Sequence, residues 1–400
     1  MNYILFDNEA RFNLFPLTHT RPIAEIRCGI LTMRERWEKL LNAKTSTFTE
    51  EYLQGVFPLQ KAGDNVLVNA SVFATKSLCE AINALNTGEQ LVSGETIIAV
   101  RVASIDFDYT SYKEAFDQLK PITFSAEINA INNTWDIFSL NDFALRADYE
   151  LLTAGRKSAA IPEGVTVTGK EQLFMEEGAT VNVGCIINAN AGPVYIARDS
   201  EILEGTLIRG PLAMCEHSVI KMGAKVYGAT TIGPGCKVGG EINNTVFFAN
   251  SNKAHDGYLG NAVIGEWCNL GADTNCSNLK NNYDEVKVWN EYLGKSVKTG
   301  LTFCGLVMGD HSKCAINTAF NTGTVVGVSC NIYGSGFPNQ FIPSFCWGGS
   351  DGMFTYKLEK AMDTAGRMMA RRNKSLSEAE LKMYAYIFER TNPQRKLFIK

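Results

Sequence analysis

The chain has 400 residues, of which 45% are hydrophobic and 20% charged, with a formal net charge of −4. At about 100–200 residues per domain this predicts two or three domains with a sizeable core, and the acidic balance gives no reason to expect nucleic-acid binding. Thirty-five Gly against 11 Pro exclude a collagen-like or Pro-rich chain, no run of about eighteen apolar residues predicts a membrane span, and the first residues lack the basic and apolar regions of a secretory signal.

In chain order, the first 154 residues read as an α/β layered domain. Short buried strands are predicted at Asn2–Phe6, Asn65–Asn69 and Thr96–Val102, with helices over 31–41, 77–85 and 111–119 between and after them. Residues 142–153, DFALRADYELLT, read as a linking helix. Asp7, Asp106 and Asp108 are the candidate Mg²⁺ ligands of this domain.

From residue 155 to 345 the texture changes to a repeat. Every sixth residue from Ile196 is aliphatic: Ile196, Ile202, Ile208, Met214, Ile220, Val226, Ile232 and Val238. If about a quarter of residues are aliphatic, eight consecutive hits arise by chance on the order of once in a hundred thousand starts. Four residues after each hit stands a mostly small residue, such as Ser200, Thr206, Ser218 or Cys236. A period of six fits a parallel β-helix with three short faces per coil, the aliphatic residue pointing inward and the small one beside the turn. Phase slips near 186–195, 245–263 and 277–307 are expected to be loops leaving the coil, where function sits on such scaffolds.

Two more helices follow over 355–371 and 377–390, the second opened by Ser377 and Glu380 as a capping box. This last segment, 346–400, is basic. Residues 356–400 carry a net charge of +6 against −10 for the rest, which suits a phosphorylated ligand or a subunit contact, with a solvated tail as the plainer reading.

The 11 cysteines include no CxxC pair and no zinc spacing. Cys185, Cys276 and Cys314 fall on the aliphatic position and Cys236, Cys268 and Cys330 on the small one, so they read as apolar filler with reduced thiols, as in a cytoplasm. The richest polar stretch lies where the hexad breaks. There His255, one of four histidines, stands near Lys253, Asp256 and Tyr258. A neutral imidazole is the natural general base for an amine or hydroxyl nucleophile, and asparagines such as Asn278 are candidates to stabilise an oxyanion.

The hexads resemble the left-handed β-helix of hexapeptide acyltransferases. The stretch SNKAHDGYLGNAVIGEWCNLGADTNCSN, residues 251–278, resembles the acetyltransferase domain of the bifunctional N-acetylglucosamine-1-phosphate uridylyltransferase/glucosamine-1-phosphate acetyltransferase family. The resemblance implies His255 as the catalytic base. It implies Glu241, Tyr258, Asn269 and Asn278 as substrate-binding residues, Gly271 and Ala272 as contacts to coenzyme A, acetyl-CoA as cosubstrate and a homotrimer. The family's phosphate-binding lysine is Asn243 here, and Lys253, Lys280 or Arg209 would have to substitute. FPLTHTRPIAEIRCGILTMRERWEKLL, residues 15–41, is similar to the signature of sugar nucleotidyltransferases, which places Arg21 at a nucleotide. Ile23 stands where that signature has lysine, and FDNEARFNLF where it has a glycine-rich turn.

The expectation is therefore an α/β nucleotidyltransferase-like (Rossmann-like) domain followed by a left-handed parallel β-helix and C-terminal helices. It acts as a sugar-phosphate acetyltransferase using acetyl-CoA, in a cytoplasm, away from nucleic acid and membrane. A sugar phosphate and a nucleoside triphosphate are the expected small-molecule partners. Two alternatives stand beside it: a non-catalytic sugar-nucleotide-binding scaffold, and a nucleotidyltransferase whose β-helix only trimerises the chain.

Overall fold

The computed structural model describes residues 1–399. The first strand, β1 (Asn2–Phe6), lies between β2 (Thr45–Phe48) and β3 (Asn65–Asn69), parallel to both. Then come β4 (Glu89–Ser93), β5 (Thr96–Val102) and β6 (Lys120–Thr123), giving the order β2-β1-β3-β5-β4-β6. β5 is antiparallel to β3 and β4, so the sheet is mixed. Both faces are covered. Tyr3 and Leu5 join one buried cluster, and Ile4 and Phe6 join another with Phe48, Val100 and Phe116, because successive strand side chains point to opposite faces. The three strands expected from sequence stand at their expected residues. The helices form at Met33–Leu41, Lys76–Asn83 and Tyr112–Asp117.

The hexad region winds as a parallel β-helix with three faces. Face one includes Thr166–Thr168, Ile186–Asn188, Leu207–Arg209 and Lys225–Tyr227 and continues into Glu241–Phe247 and Tyr258–Ile264. Face two includes Leu173–Met175, Val194–Ile196, Leu212–Met214 and Thr230–Ile232. Face three runs from Thr180–Val181 through Val219–Ile220, Lys237–Val238, Asn252–Lys253 and Asn269–Leu270 to Cys346–Gly349. All eight aliphatic hexad residues from Ile196 to Val238 are at most 3% exposed, so each coil buries its inner face only by stacking on its neighbours. All 11 cysteines are free and buried. Burial pushes the Cys215 thiol up to about 11 and the Cys236 thiol up to about 12, which keeps both protonated near neutrality, as filler requires.

The phase slips at 277–307 and 245–263 have different causes. Residues 277–307 do leave the coil, and carry an antiparallel hairpin of Lys287–Asn290 and Lys295–Lys298 that packs against the first domain. Residues 245–263 do not leave it, contrary to expectation. Glu241–Phe247 and Tyr258–Ile264 pair in register along this stretch. The slip arises because only Gly239 and Gly240 separate the strand Lys237–Val238 from the next, where Lys221–Ala224 make the same corner one coil earlier.

The helix Asn141–Thr153 does more than link. Asp148 accepts from both Nε and Nη2 of Arg36 and from the backbone N–H groups of Ile30 and Leu31. Asn141 donates to the Ala229 carbonyl of the β-helix and accepts from the Gly29 N–H. Gly29 has φ +88, and a Cβ there would meet Asp148 Oδ2 at 2.4 Å, so only glycine allows that approach. The C-terminal helices are Leu358–Ala370, Glu378–Arg390 and Asn392–Phe398, and the Ser377–Glu380 capping box is formed. Three arginines of the basic segment are engaged by the rest of the molecule. Arg390 pairs with Glu50 at 2.7 Å, Arg372 donates to Asn250 and Asn252, and Arg395 is 1% exposed and donates to the Ser344 carbonyl. No helix among the described residues is long and apolar enough to cross a membrane.

Candidate active site

His255 sits at a corner of the β-helix, between Asn252–Lys253 on face three and Tyr258 on face one. The imidazole is exposed and lines a cleft of about 470 Å³ together with Lys221, Met222, Gly240, Ala272 and Asp273. These residues come from successive coils stacked at the same corner. Ala272, expected as a coenzyme A contact, is therefore brought to His255. Gly271 is its chain neighbour, where a Cβ would lie 2.4 Å from the Ala315 carbonyl carbon of the next coil, so it serves close coil packing.

Beside this corner, on face one, lies a second polar group. Asn278 donates one amide hydrogen to the Tyr258 hydroxyl at 2.9 Å and the other to Asn261 Oδ1 at 2.8 Å. Glu241 pairs in register with Tyr258 and accepts from the Tyr227 hydroxyl at 2.7 Å. Asn275 Oδ1 accepts from the Tyr258 backbone N–H. An oxyanion role for Asn278 does not fit, because both of its amide hydrogens are already committed. Its bond to Tyr258 uses the phenol oxygen as an acceptor, and the Tyr258 O–H remains available as a donor. Asn269 opens a face-three strand, half-buried and in register with Asn252 and Lys313.

Three expectations are corrected. Lys253 is not a phosphate grip. It is fully buried inside the prism, where its ammonium donates to the carbonyls of Gly239, His255 and Asp256. Arg21 does not face a nucleotide. It is 5% exposed and its guanidinium bonds Glu266 at 2.7 Å and Asp310, both from the β-helix. Burial opposes the charge, but the two carboxylates outweigh it and hold Arg21 cationic, so it is an ionic strut between modules. Asp106 and Asp108 do not converge on a metal site. Both are exposed on the loop after β5, and Asp108 Oδ1 accepts from the backbone and hydroxyls of Thr110 and Ser111. The Thr110 hydroxyl is the largest cause holding its carboxyl below the usual range. Asp7 is buried against Arg11, Thr49 and the Ile23 N–H. Among the described residues no group of three or more His, Cys, Asp or Glu could hold a metal ion, and these carboxylates do not fit Mg²⁺.

Lys221 and Met222 were not singled out in the sequence. Their signal was available: they follow the inward Ile220 at the same distance as Ala254 and His255 follow Lys253.

Residues 3–157 match the sugar nucleotidyl transferase family. The chain is 30% identical over 186 residues to the bifunctional protein GlmU of Trichormus variabilis, covering 41% of this chain and 40% of that protein. It is 29% identical over 223 residues to GlmU of Methanococcus vannielii, covering 54% and 47%. It is 26% identical over 320 residues to a bifunctional sugar-1-phosphate nucleotidylyltransferase/acetyltransferase of Sulfurisphaera tokodaii, covering 78% and 71%. The chain thus spans less than half the length of the first two relatives. Among solved structures, the UDP-N-acetylglucosamine acyltransferase of Bacteroides fragilis aligns with a TM-score of 0.27 at 12% identity, over 57% of this chain and 96% of that one.

Proposed function

We propose, for a chain whose residues 3–157 match the sugar nucleotidyl transferase family, that its β-helix transfers acetyl from acetyl-CoA to an amino-sugar phosphate at the His255 cleft. The observation that carries this reading is the exposed imidazole of His255 over a cleft shared with Ala272 and Lys221, beside the Tyr258–Asn278 pair. His255 takes a proton from the acceptor amine as its lone pair attacks the thioester carbonyl carbon. The tetrahedral intermediate collapses with cleavage of the C–S bond, and the leaving thiolate takes the proton back from the imidazolium. No acyl-enzyme forms, in keeping with 11 buried thiols.

Tyr258 holds the acceptor through its free O–H, with Glu241 and Asn269 as further sugar contacts. Lys221, which makes no ion pair among the described residues, takes the phosphate in place of the lysine lost at Asn243. Gly271 and Ala272 border the pantetheine path of coenzyme A. The same corner and face expose Val183, Ile186, Leu207 and Met222 at 45–67%, which supports a homotrimer packed along this side. Free thiols throughout fit a reducing compartment such as the cytoplasm. Coenzyme A release should be measured with a panel of amino sugars and amino-sugar phosphates, with His255→Ala as control. Unchanged turnover in that variant would remove His255 from the reaction.

A second reading concerns the first domain. The engagement of Arg21 by Glu266 and Asp310 favours a domain that binds a sugar nucleotide or docks the β-helix over one that transfers nucleotidyl groups. Pyrophosphate release from nucleoside triphosphate and sugar 1-phosphate with Mg²⁺ would restore the transferase.

A further inference from the structure

The corner that carries His255 is built unlike its neighbours. In the corners after Val181, Ile202, Ile220, Leu270 and Cys314 the third residue is left-handed, at Gly184, Gly205, Gly223, Asp273 and Asn317. The fourth is small and buried: Cys185, Thr206, Ala224, Thr274 and Thr318. Where it is threonine, its hydroxyl closes the turn on the carbonyl three residues back, at 2.7–2.8 Å for Thr206, Thr274 and Thr318. After Lys253 this arrangement is absent. The left-handed residue is the fourth, Gly257 with φ +110, and it has no side chain to close the turn.

Lys253 supplies the closure instead. Its partners along the inward row include Ile220, Val238, Leu270 and Cys314, so an ammonium there is surrounded by apolar core. It bonds the His255 carbonyl at 2.8 Å and the Asp256 carbonyl at 3.0 Å, with the Gly239 carbonyl of the coil below at 3.3 Å. The coil below is shortened to Gly239–Gly240 at this point, and a Cβ on Gly240 would lie 2.9 Å from the His255 carbonyl oxygen. The His255 turn is therefore pressed against the lower coil and gripped from within. A buried ammonium is costly unless its donors are satisfied, and here three carbonyls satisfy them.

Resting on the acetyl-transfer reading, we propose that Lys253 is a positioning residue, whose ammonium fixes the His255–Asp256 peptide from inside the β-helix and so sets the pose of the imidazole over the cleft. The groups facing the ammonium are Asp256 on its own turn, Asp273 on the corner above and the Cys314 thiol in the core.

The test is Lys253→Met, which keeps the shape and removes the donors, with Ile202→Met as a matched inward control. Two quantities are read on the full chain: steady-state kinetics, and the imidazole ¹³C resonances of the four histidines, assigned with His255→Asn. Lys253→Met is expected to lower kcat about tenfold to a hundredfold at unchanged KM for acetyl-CoA, the range seen for angstrom-scale misplacement of a catalytic group. It should also shift or broaden the His255 resonance while those of His19, His217 and His311 stay in place. The control should leave both unchanged. An unmoved His255 resonance with unchanged kcat overturns the proposal. Should Lys253→Met not fold, the wild-type His255 resonance is followed from pH 7 to 10. A step in that resonance as Lys253 loses its proton supports the proposal, and its absence overturns it. If no acceptor is acetylated by the wild type, the acetyl-transfer reading fails, and the resonance alone decides the role of Lys253.

Discussion

The Tyr258 hydroxyl accepts a hydrogen bond from Asn278 Nδ2 at 2.9 Å, across 20 residues of chain and one coil of the β-helix. That bond takes an acceptor position of the phenol and leaves its proton pointing to whatever occupies the face. Asn278→Ala should therefore loosen the acceptor more than it slows the chemistry. The expected result is a rise of about tenfold in KM for the acceptor, the worth of one polar contact at about 1.4 kcal/mol, with KM for acetyl-CoA unchanged. Equal loss in Asn278→Ala and Tyr258→Phe, with no further loss in the double variant, would show the two acting as a unit.

The strut from Arg21 to Glu266 and Asp310 spans 245 and 289 positions of sequence. Removing one partner of a buried pair strands the others without compensation, at a cost of about 3–5 kcal/mol. Arg21→Met should lower stability by about that amount in urea unfolding. Adding Asp310→Asn should recover part of it, since the stranded charge is then gone. A variant as stable as the wild type would show that the strut contributes nothing.

Burial lowers the Lys253 pKa from 10.5 to about 8, with Asp256 and Asp273 opposing it. Below about 8 the ammonium is charged in both states, and its burial weakens the fold. Between about 8 and 10.5 the unfolded chain binds more protons, so stability rises with pH through that window. Lys313 is shifted likewise to about 8, so the Lys253 share is the difference between wild type and Lys253→Met. That difference should shrink or reverse by pH 10.5 if the ammonium is the group that titrates.

Gly257 adopts φ +110, and a Cβ there would lie 2.1 Å from the Thr274 carbonyl oxygen. Gly257→Ala meets both backbone strain and a backbone clash that no rotamer relieves. The expected loss is about 2–4 kcal/mol of stability, accompanied by displacement of His255. By contrast Gly294→Ala, at φ +61 with open space around it, should cost about 1 kcal/mol and leave turnover unaffected.

Much of the architecture was legible because its signals are local. A strand such as Asn65–Asn69 or a capping box such as Ser377–Glu380 depends on a few adjacent residues, and both stand where the pattern puts them. The site was legible only in part. His255 and Ala272 share one cleft, whereas the hydrogen-bond partners of Lys253 and Asn278 were not legible, because they are backbone carbonyls turned inward or side chains on another coil.

By itself, the sequence determined the β-helix, since a six-residue aliphatic period can bury its inner face in few other ways. It also determined that the thiols are core filler and that an α/β domain precedes the coil. The tertiary structure alone decided that Lys253 points inward. The two-residue corner at Gly239–Gly240 shifts the hexad phase, and the register Val238 to Lys253 appears only once the strands are paired. It alone decided the fate of Arg21 as well. A charged residue near a signature motif looks available for a ligand until the carboxylates that neutralise it arrive from the far end of the chain, and nothing local encodes that meeting.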